Sequence, residues 1–597
     1  MLQVRLDPKT MLKKAQALER AGQTAEAAAA YMAYLDRNPS DAEVWSDYAG
    51  QLIQLNQLED ARAACEAALK ADPRCRSAKV NIGCIFMKQG HRDEAELRFR
   101  AAIVQDPLRA DTHLLLAECL LGRKDFTGTR LALEALDRAG EQLSRKANLQ
   151  GQHADLWARY GHALLTSRKL REAEAACQTA LKINPLNFEA RANLGALLMT
   201  EGQLPEAEAW FRNLIIRHPS QEQGHLLLIT CLTRQGKANE AAREIAQVLT
   251  LAPSSLIVHQ SLMGAYYTLS DWAGCTAESD RYRQIDPTSS LPDFEQSFVE
   301  LLQGNVPMGW DLYEARLDLP YEIRPTPTHP QPRWAGEDFQ GKTLLLWCEQ
   351  GLGDTLMFLR YLPLVKARGG SVVLEAQPSL AQLAATVPGV DLVVPRGLQK
   401  PPYDLQASLL SLPAIFRTDF GNIPGEPPYL EIPDPVPNQK GILQHLRSSK
   451  EAVRIGLVWA GNPDHPRDDE RSIQPALLAP LAELPGVAWF SFQLGDGELP
   501  PLPGITPLGP LLSTFSDTAY ALSGMDLLIT VDTSMAHLAG ALGIPTLVLL
   551  THAPDFRWLL DRADSPWYPS LHLYRQPAVG DWASIIQTLV HDLSQGG

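Results

Sequence analysis

The sequence predicts an α-solenoid of paired helices followed by an α/β unit of two Rossmann-like lobes. Three observations predict it. Prolines recur at one fixed step through the first half, a proline cluster lies between Pro320 and Pro332, and strand–turn–helix alternation runs from Lys342 onward. A chain of 597 residues has room for three or more folded units.

The repeat comes first. Pro39, Pro73 and Pro107 are evenly spaced, and Pro185, Pro219, Pro253 and Pro287 follow one another by the same step. The longer stretch from Pro107 to Pro185 holds two such periods and a ten-residue insertion. The step, about 34 residues, is the period of a tetratricopeptide repeat, and other positions keep its register. Trp45, Tyr48, Ala49, Leu52, Ala61, Cys65, Ala68 and Pro73 match Trp157, Tyr160, Gly161, Leu164, Ala173, Cys177, Ala180 and Pro185. Small residues sit where two helices must approach closely, and the closing proline cannot continue the second helix. About eight repeats are expected from Pro8 to Ser289, the fourth distorted by an insertion near Leu143–Gly151. Cys65 and Cys177 read as core, while His113, His225 and His259 read as solvent-facing residues rather than metal ligands.

Segments Phe294–Leu302 and Met308–Leu317 are expected to cap the array, which occupies residues 1–318. Residues 319–341 read as a proline-rich linker. Strands are then expected at Thr343–Cys348, Ser371–Glu375, Asp391–Val394, Arg454–Trp459, Ala488–Phe492, Asp526–Val531 and Thr546–Leu550. Helices fall between them, including Thr355–Lys366, Leu380–Ala385, Ala476–Leu484 and Met535–Leu542. Buried, branched strands alternating with helices imply parallel sheets. The proline-rich stretch Ile423–Pro437 divides them into lobes at 342–437 and 438–597.

Lys and Arg number 54 against 69 Asp and Glu, a net charge of −15, which argues against a nucleic-acid or anionic-membrane partner. No apolar run nears the ~18 residues of a membrane helix. Met1–Arg5 begins no signal sequence, so a cytoplasmic location is expected. Eight Cys without a Cys-x-x-Cys pair make neither a disulfide nor a zinc framework.

Three segments carry chemistry. The first strand runs into Glu349-Gln350-Gly351-Leu352-Gly353-Asp354, a glycine-bearing turn at a sheet's carboxyl edge. Gln350, Gly351 and Gly353 are candidate cleft contacts, and Asp354 is either a helix N-cap or a general base. Leu356 replaces the third glycine of a dinucleotide fingerprint, but Glu375 stands where a ribose-binding acid would, so an oxidoreductase stays open. The strand Leu527–Val531 runs into Asp532, Thr533, Ser534 and His537, hydroxyls and an imidazole at a helix start that favours phosphate. The third segment, Trp459–His465 continuing to Ser472, offers Asn462, His465 and Arg471, the last to neutralise a leaving phosphate. Gln493 is a plausible contact for a nucleoside base, and Asp468-Asp469-Glu470 reads as a solvated acidic run, not a metal site.

On Glu349–Asp354, Trp459–Ser472, Val531–Gly540 and Ser565–Pro569 with Arg575-Gln576, the second half resembles bacterial glycosyltransferases of the two-lobed GT-B fold. It is most similar to the heptosyltransferase-like, family 9-like group, often fused to tetratricopeptide repeats. The layout also looks like protein O-glycosyltransferases and repeat-bearing flagellin glycosyltransferases. The resemblance implies Asp354 as base and Asp532, Thr533, Ser534 and His537 as donor contacts. Arg471-Ser472 departs from it, standing where the lipopolysaccharide heptosyltransferases carry a Lys.

The expected function is therefore inverting, metal-independent transfer from a nucleotide sugar to a protein hydroxyl recruited by the repeats, flagellin being one plausible acceptor. No cofactor is expected, and oligomerisation stays open. The alternatives are a glycan-acceptor transferase of envelope polysaccharide synthesis and a non-catalytic repeat adaptor with a degenerate GT-B unit.

Overall fold

The computed structural model describes residues 7–106, 110–122, 126–138, 147–320, 329–349, 351–446, 453–463, 465, 467–495 and 497–595. Pro107, most of the expected insertion near Leu143–Gly151, and Gln350 lie outside the described residues or have no described side chain. Two compact units divide at Pro219 and Ser220, not at the proline-rich stretch singled out in the sequence.

Among the described residues, six helix pairs make up the first unit, from Pro8–Arg20 with Thr24–Leu35 to Phe188–Thr200 with Leu204–Arg217. Helices start on short polar caps. Asp41 accepts from the Val44 amide at 3.3 Å and Asn187 from the Ala190 amide at 2.8 Å. Ala49, Ala61, Ala68, Ala173 and Ala180 are buried, and so are Cys65 and Cys177. Asn81 and Asn193, in register with one another, each donate a side-chain N–H to the preceding repeat, to the carbonyls of Ser46 (2.8 Å) and Ala158 (2.9 Å). These bonds tie neighbouring repeats by adding a second donor to carbonyls inside the preceding helix.

The second unit begins with two more pairs, Glu222–Arg234 with Ala238–Leu251 and Leu256–Thr268 with Trp272–Ile285. Here the histidines correct the sequence expectation. His113, His225 and His259 are all buried. His225 Nδ1 meets Glu244 at 2.5 Å, and one period later His259 Nδ1 meets Glu278 at 2.6 Å. The imidazole fills the space that Trp45 and Trp157 occupy in other repeats, and the second helix supplies a carboxylate to satisfy it.

Helices Leu291–Leu302 and Val306–Tyr313 and the 3-10 turn Glu314–Asp318 do more than cap the array. Leu301, Val306, Trp310 and Tyr313 share one apolar core with Leu344 and Leu346 of the first lobe and Leu528 and Val548 of the second. Trp334 and Phe339, from the expected linker, are buried in the same core, and the Trp334 amide donates to the Gln406 carbonyl at 2.8 Å. Residues 329–341 therefore belong to the first lobe.

That lobe is a parallel sheet of β1 (Thr343–Trp347), β2 (Ser371–Ala376), β3 (Leu392–Pro395) and β4 (Leu405–Ser408), in the order β3-β2-β1-β4. The second is a parallel sheet of β5 (Val453–Val458), β6 (Val487–Ser491), β7 (Thr506–Pro507), β8 (Leu527–Val531), β9 (Thr546–Leu550) and β10 (Leu571–Arg575). Its order, β10-β9-β8-β5-β6-β7, is that of a doubly wound sheet, reversing between β5 and β8. All seven expected strands are present. The sequence pattern missed β4, whose Gln406 and Ser408 interrupt the apolar run, the two-residue β7, and β10, where His572 alternates with leucines. The helix expected at Ala476–Leu484 is a 3-10 helix, because Pro480 inside it lacks the N–H an α-helix needs.

Helix crossing in the first unit is tested by two glycines. A methyl group on Gly195 would lie 2.3 Å from Phe211 Cε1, whereas one on Gly50 meets nothing within 4 Å. Gly195→Ala should destabilise the protein by about 1–3 kcal/mol through overpacking. Gly50→Ala should stabilise it by about 0.5–1 kcal/mol. Urea unfolding of the two variants reads both signs.

Candidate functional site

In a doubly wound sheet, the loops that leave neighbouring strands at the reversal point part in opposite directions and open a crevice at the carboxyl edge. Here that place lies between β5 and β8, and the Trp459–Gly461 and Asp532–Ser534 segments leave the sheet there. Arg471 bridges them. Its Nε donates to Asp468 at 3.2 Å and its Nη1 to the Asp532 carbonyl at 3.1 Å. The Arg471–Asp468 pair lies across Gly461, where a Cβ would be 2.5 Å from both Arg471 Nη2 and Asp468 Oδ1. Gln493 closes the other side, its Oε1 accepting from the amides of Trp459 (3.3 Å) and Ala460 (3.0 Å). The structure thus gives Gln493 a loop-fixing role in addition to any ligand contact.

Thr533 caps helix Ser534–Leu542 by accepting from the Met535 amide at 3.2 Å, and Thr533, Ser534 and Asp532 are half-buried. His537, one turn on, is buried. Its Nδ1 meets Tyr568 Oη at 3.1 Å and its ring stacks on Trp558 at 5.3 Å. Burial, reinforced by Arg557, pulls its pKa down to about 3, so it is a neutral ring. His537 therefore supports the helix start without adding charge to it.

Helix Leu352–Phe358 of the first lobe packs on Ser534–Leu542 of the second. Gly353 permits this, since a Cβ there would lie 2.7 Å from His537 Cδ2 and 3.4 Å from Ser534 Cα. Its job is close helix contact, where the sequence suggested a ligand approach. Gly351 is the N-cap residue of Leu352–Phe358. Asp354 accepts from the Gly351 amide at 3.3 Å through Oδ2, and its Oδ1 pairs with Arg557. It is both a cap and the anionic half of an ion pair joining the lobes. Burial pushes its carboxyl up, with the Arg557 guanidinium opposing.

Arg557 and Asp555 are the functional candidates the sequence reading missed, and the 3-10 turn Phe556–Trp558 carries no motif that marks them. Arg557 holds Asp555 at 2.7 Å as well as Asp354, and its guanidinium lies 4.2 Å over the Phe556 ring. Asp532 belongs to the same cluster. Burial and then Asp555 push its carboxyl up to about 6, with the Arg471 and Arg557 charges opposing. Asp555 goes the other way: burial raises it, but the Arg557 charge and hydrogen bonds bring it down overall. Arg557 Nε and Trp558 Nε1, both buried, find no acceptor among the described residues.

Two expectations change. Of the acidic run, Asp468 is buried and Glu470 half-buried, paired with Arg471 at 3.2 Å and Arg467 at 2.7 Å, while Asp469 is exposed, as expected, and pairs with Arg234 at 2.5 Å. Glu375 is held by Lys400 at 2.5 Å, and so is not left for a ribose. Asn462 and His465 are exposed, with the His465 amide donating to the Asn462 carbonyl at 3.0 Å. Partial desolvation by the surrounding loop, then Arg471, lowers the His465 pKa. Among the described residues no group of three His, Cys, Asp or Glu is placed to hold a metal.

The last repeats reach these loops. Arg234 pairs with Asp469, and Tyr267 donates to the Pro554 carbonyl at 2.8 Å while its ring lies 5.5 Å beneath the Arg467 guanidinium. Between the lobes, Arg360 is buried and donates to the carbonyls of Pro424 (2.7 Å), Gly425 (2.7 Å) and Trp567 (3.0 Å).

The chain thus carries tetratricopeptide repeats followed by an α/β portion of two parallel sheets. The tetratricopeptide repeat family profile matches residues 12–74, 80–143 and 160–222. The chain is similar to protein FlbA of Caulobacter vibrioides, 25% identical over 474 residues that cover 68% of this chain and 78% of that protein. It is also similar to cellulose synthase 1 operon protein C of Komagataeibacter xylinus, 23% identical over 263 residues, 42% of this chain and 19% of that one. Among solved structures, Pseudomonas aeruginosa PilF matches at 18% identity and TM-score 0.30, covering 36% of this chain and 94% of that one. Repeats of this kind have protein-interaction capacity. No helix among the described residues is long and apolar enough to cross a membrane.

The carboxylate cluster predicts a pH effect. Asp532 titrates near 6 in the folded chain and near 3.8 when unfolded, so the folded state binds more protons between these values. The group therefore destabilises the fold at pH 7–8, and the penalty fades as pH falls through 6 toward 4. Asp532→Asn should raise the melting temperature at pH 8 and give a smaller gain at pH 4.5. Arg557→Met, by contrast, strands two acids and should cost about 3–5 kcal/mol. Melting curves of both variants across pH 4.5–8 check this.

Proposed function

We propose that this protein is a glycosyltransferase of GT-B architecture that moves a sugar from a nucleotide donor to a hydroxyl of a protein acceptor held by its repeats. The single observation that carries the reading is the reversal of strand order between β5 and β8, where Arg471 holds the Asp532 carbonyl next to the half-buried residues Thr533 and Ser534. A helix start with two hydroxyls and a guanidinium beside it suits a diphosphate, and the helix dipole adds to the attraction. The buried donors of Arg557 and Trp558 add two further N–H groups nearby.

Transfer needs a base close to the donor phosphates. Asp354 comes from the opposite lobe, and the close approach of Gly353 to Ser534 supports a role for it beside the proposed phosphate site. The raised pKa of its carboxyl favours proton acceptance. Arg557 holds Oδ1, leaving Oδ2, with only the 3.3 Å Gly351 contact, to take the acceptor proton. As the glycosidic bond forms, the bond to the donor phosphate breaks, and the leaving diphosphate is held by Arg471 and the start of the Ser534 helix. Positive charge from the protein makes a divalent metal unnecessary in this scheme.

The repeats supply acceptor choice, since Arg234 and Tyr267 touch the loops of the crevice. The similarity to a protein named for a cellulose synthase operon supports a second reading, a glycan acceptor in place of a protein.

Thermal-shift titration of the full chain with UDP, GDP, ADP and CMP is the direct test. One of these should stabilise the protein, with and without EDTA, and Arg471→Met should weaken that nucleotide about tenfold or more. If none of the four binds, the adaptor reading takes over. Asp354→Asn should lower transfer by about 10²–10⁴-fold and leave nucleotide affinity within about twofold. A fully active Asn variant would remove Asp354 from the mechanism.

A further inference from the structure

The first sheet also has a reversal point, between β1 and β4, and by the same topology it should open a ligand crevice at its carboxyl edge. A side chain of the protein's own already fills that position. Arg316, from the 3-10 turn that ends the repeat side, is fully buried. Its Nε donates to both oxygens of Glu349, at 3.0 and 3.1 Å, and its Nη2 donates to Glu349 Oε1 at 2.5 Å. Nη2 also reaches Ser411 Oγ at 2.9 Å, and Nη1 reaches the Tyr313 carbonyl at 3.1 Å and Glu314 at 2.5 Å. Ser408, the last residue of β4, donates its hydroxyl to the same Glu349 oxygen. Glu349 follows β1 by two residues and opens the segment that leads to Gly351 and Asp354.

We propose that Arg316 is the positioning residue of the first lobe's glycine-bearing turn. Its guanidinium clamps Glu349 between the ends of β1 and β4, and so fixes where helix Leu352–Phe358 begins and where Asp354 meets Arg557. The repeat side thereby builds part of the site, and the first lobe binds no nucleotide at its own reversal point. Two features separate this from ordinary core packing. The contact is bidentate, which sets direction as well as distance. It also falls on the residue that leads into the turn, while the apolar packing of the neighbouring Trp310 and Tyr313 falls on Phe358, Phe556 and Trp567.

The inference rests on the glycosyltransferase reading only for its effect on turnover, so the test has readouts that do not need activity. In the full chain, Arg316→Lys keeps the charge and loses the fork. Arg316→Met with Glu349→Gln removes the buried pair and leaves only Glu314, whose carboxylate is partly exposed to water. Hydrogen exchange should rise at least tenfold in peptides spanning Cys348–Phe358 in Arg316→Lys, with little change in those spanning β5 or β8. Affinity for the nucleotide bound by the wild type should stay within about twofold, while turnover falls about tenfold or more, since small misplacement of a catalytic group is costly. The double variant should melt near the wild type yet keep fast exchange across the turn. Unchanged exchange in Arg316→Lys overturns the proposal, as does an increase spread evenly through both sheets. Exchange confined to the turn in a protein that transfers no sugar upholds the clamp and sinks the glycosyltransferase reading instead.

Discussion

A charge with no access to water must be answered where it lies, and in this protein that requirement falls most heavily on Arg316. Desolvation opposes its charge, and Glu349 and Glu314 more than restore it, so the guanidinium stays protonated. The two carboxylates come from opposite sides, Glu314 from the end of the helical array and Glu349 from the end of a strand. Neither side can withdraw without leaving an uncompensated ion in a dry core. The helices that follow the last repeat are for this reason part of the α/β body, and the apolar core running from Trp310 through both sheets follows from the same fixed junction.

The lobes meet by similar means. Arg360 spends its donors on main-chain carbonyls from the segment between the lobes and from the second lobe, and its plane rests on Tyr429 and Tyr568 at 4.9 and 5.4 Å. Tyr429 in turn donates its amide to the Ala541 carbonyl at 3.1 Å and its hydroxyl to the Leu356 carbonyl at 3.0 Å. The connecting segment is thus stitched to the helices that flank the crevice. A seam of this kind holds Asp354 in register with the second sheet.

Much of this was legible in the sequence, for reasons that differ by region. The repeats were legible because helix crossing demands small residues at fixed intervals, and Ala61 and Ala173 repeat with the period of the fold. The strands were legible because a parallel sheet covered on both faces needs unbroken apolar runs such as Leu344–Leu346 and Leu527–Val531. The strand-to-helix turn at Asp532–Ser534 was legible because it follows β8 directly. Arg557, Arg316 and Arg360 were not. Each acts across a distance of 33 to 207 residues in the chain, and an arginine in a loop carries no local sign of the partner it will meet. The histidines were misread for the same reason, since Glu244 and Glu278 lie on the other helix of their repeats.

The contacts of the final two repeats also constrain how this array can change over evolutionary time. Tandem repeats gain and lose whole periods by unequal recombination, and a stack of interchangeable units tolerates such events. Here the seventh pair grips Asp469 through Arg234 and the eighth grips Pro554 through Tyr267, two different residues meeting two different loops. A copy-number change inserted between them would bring the wrong partner to each loop, because translation by one period turns Arg234 into Thr268 and Tyr267 into Thr233. Drift in repeat number is therefore excluded at this junction.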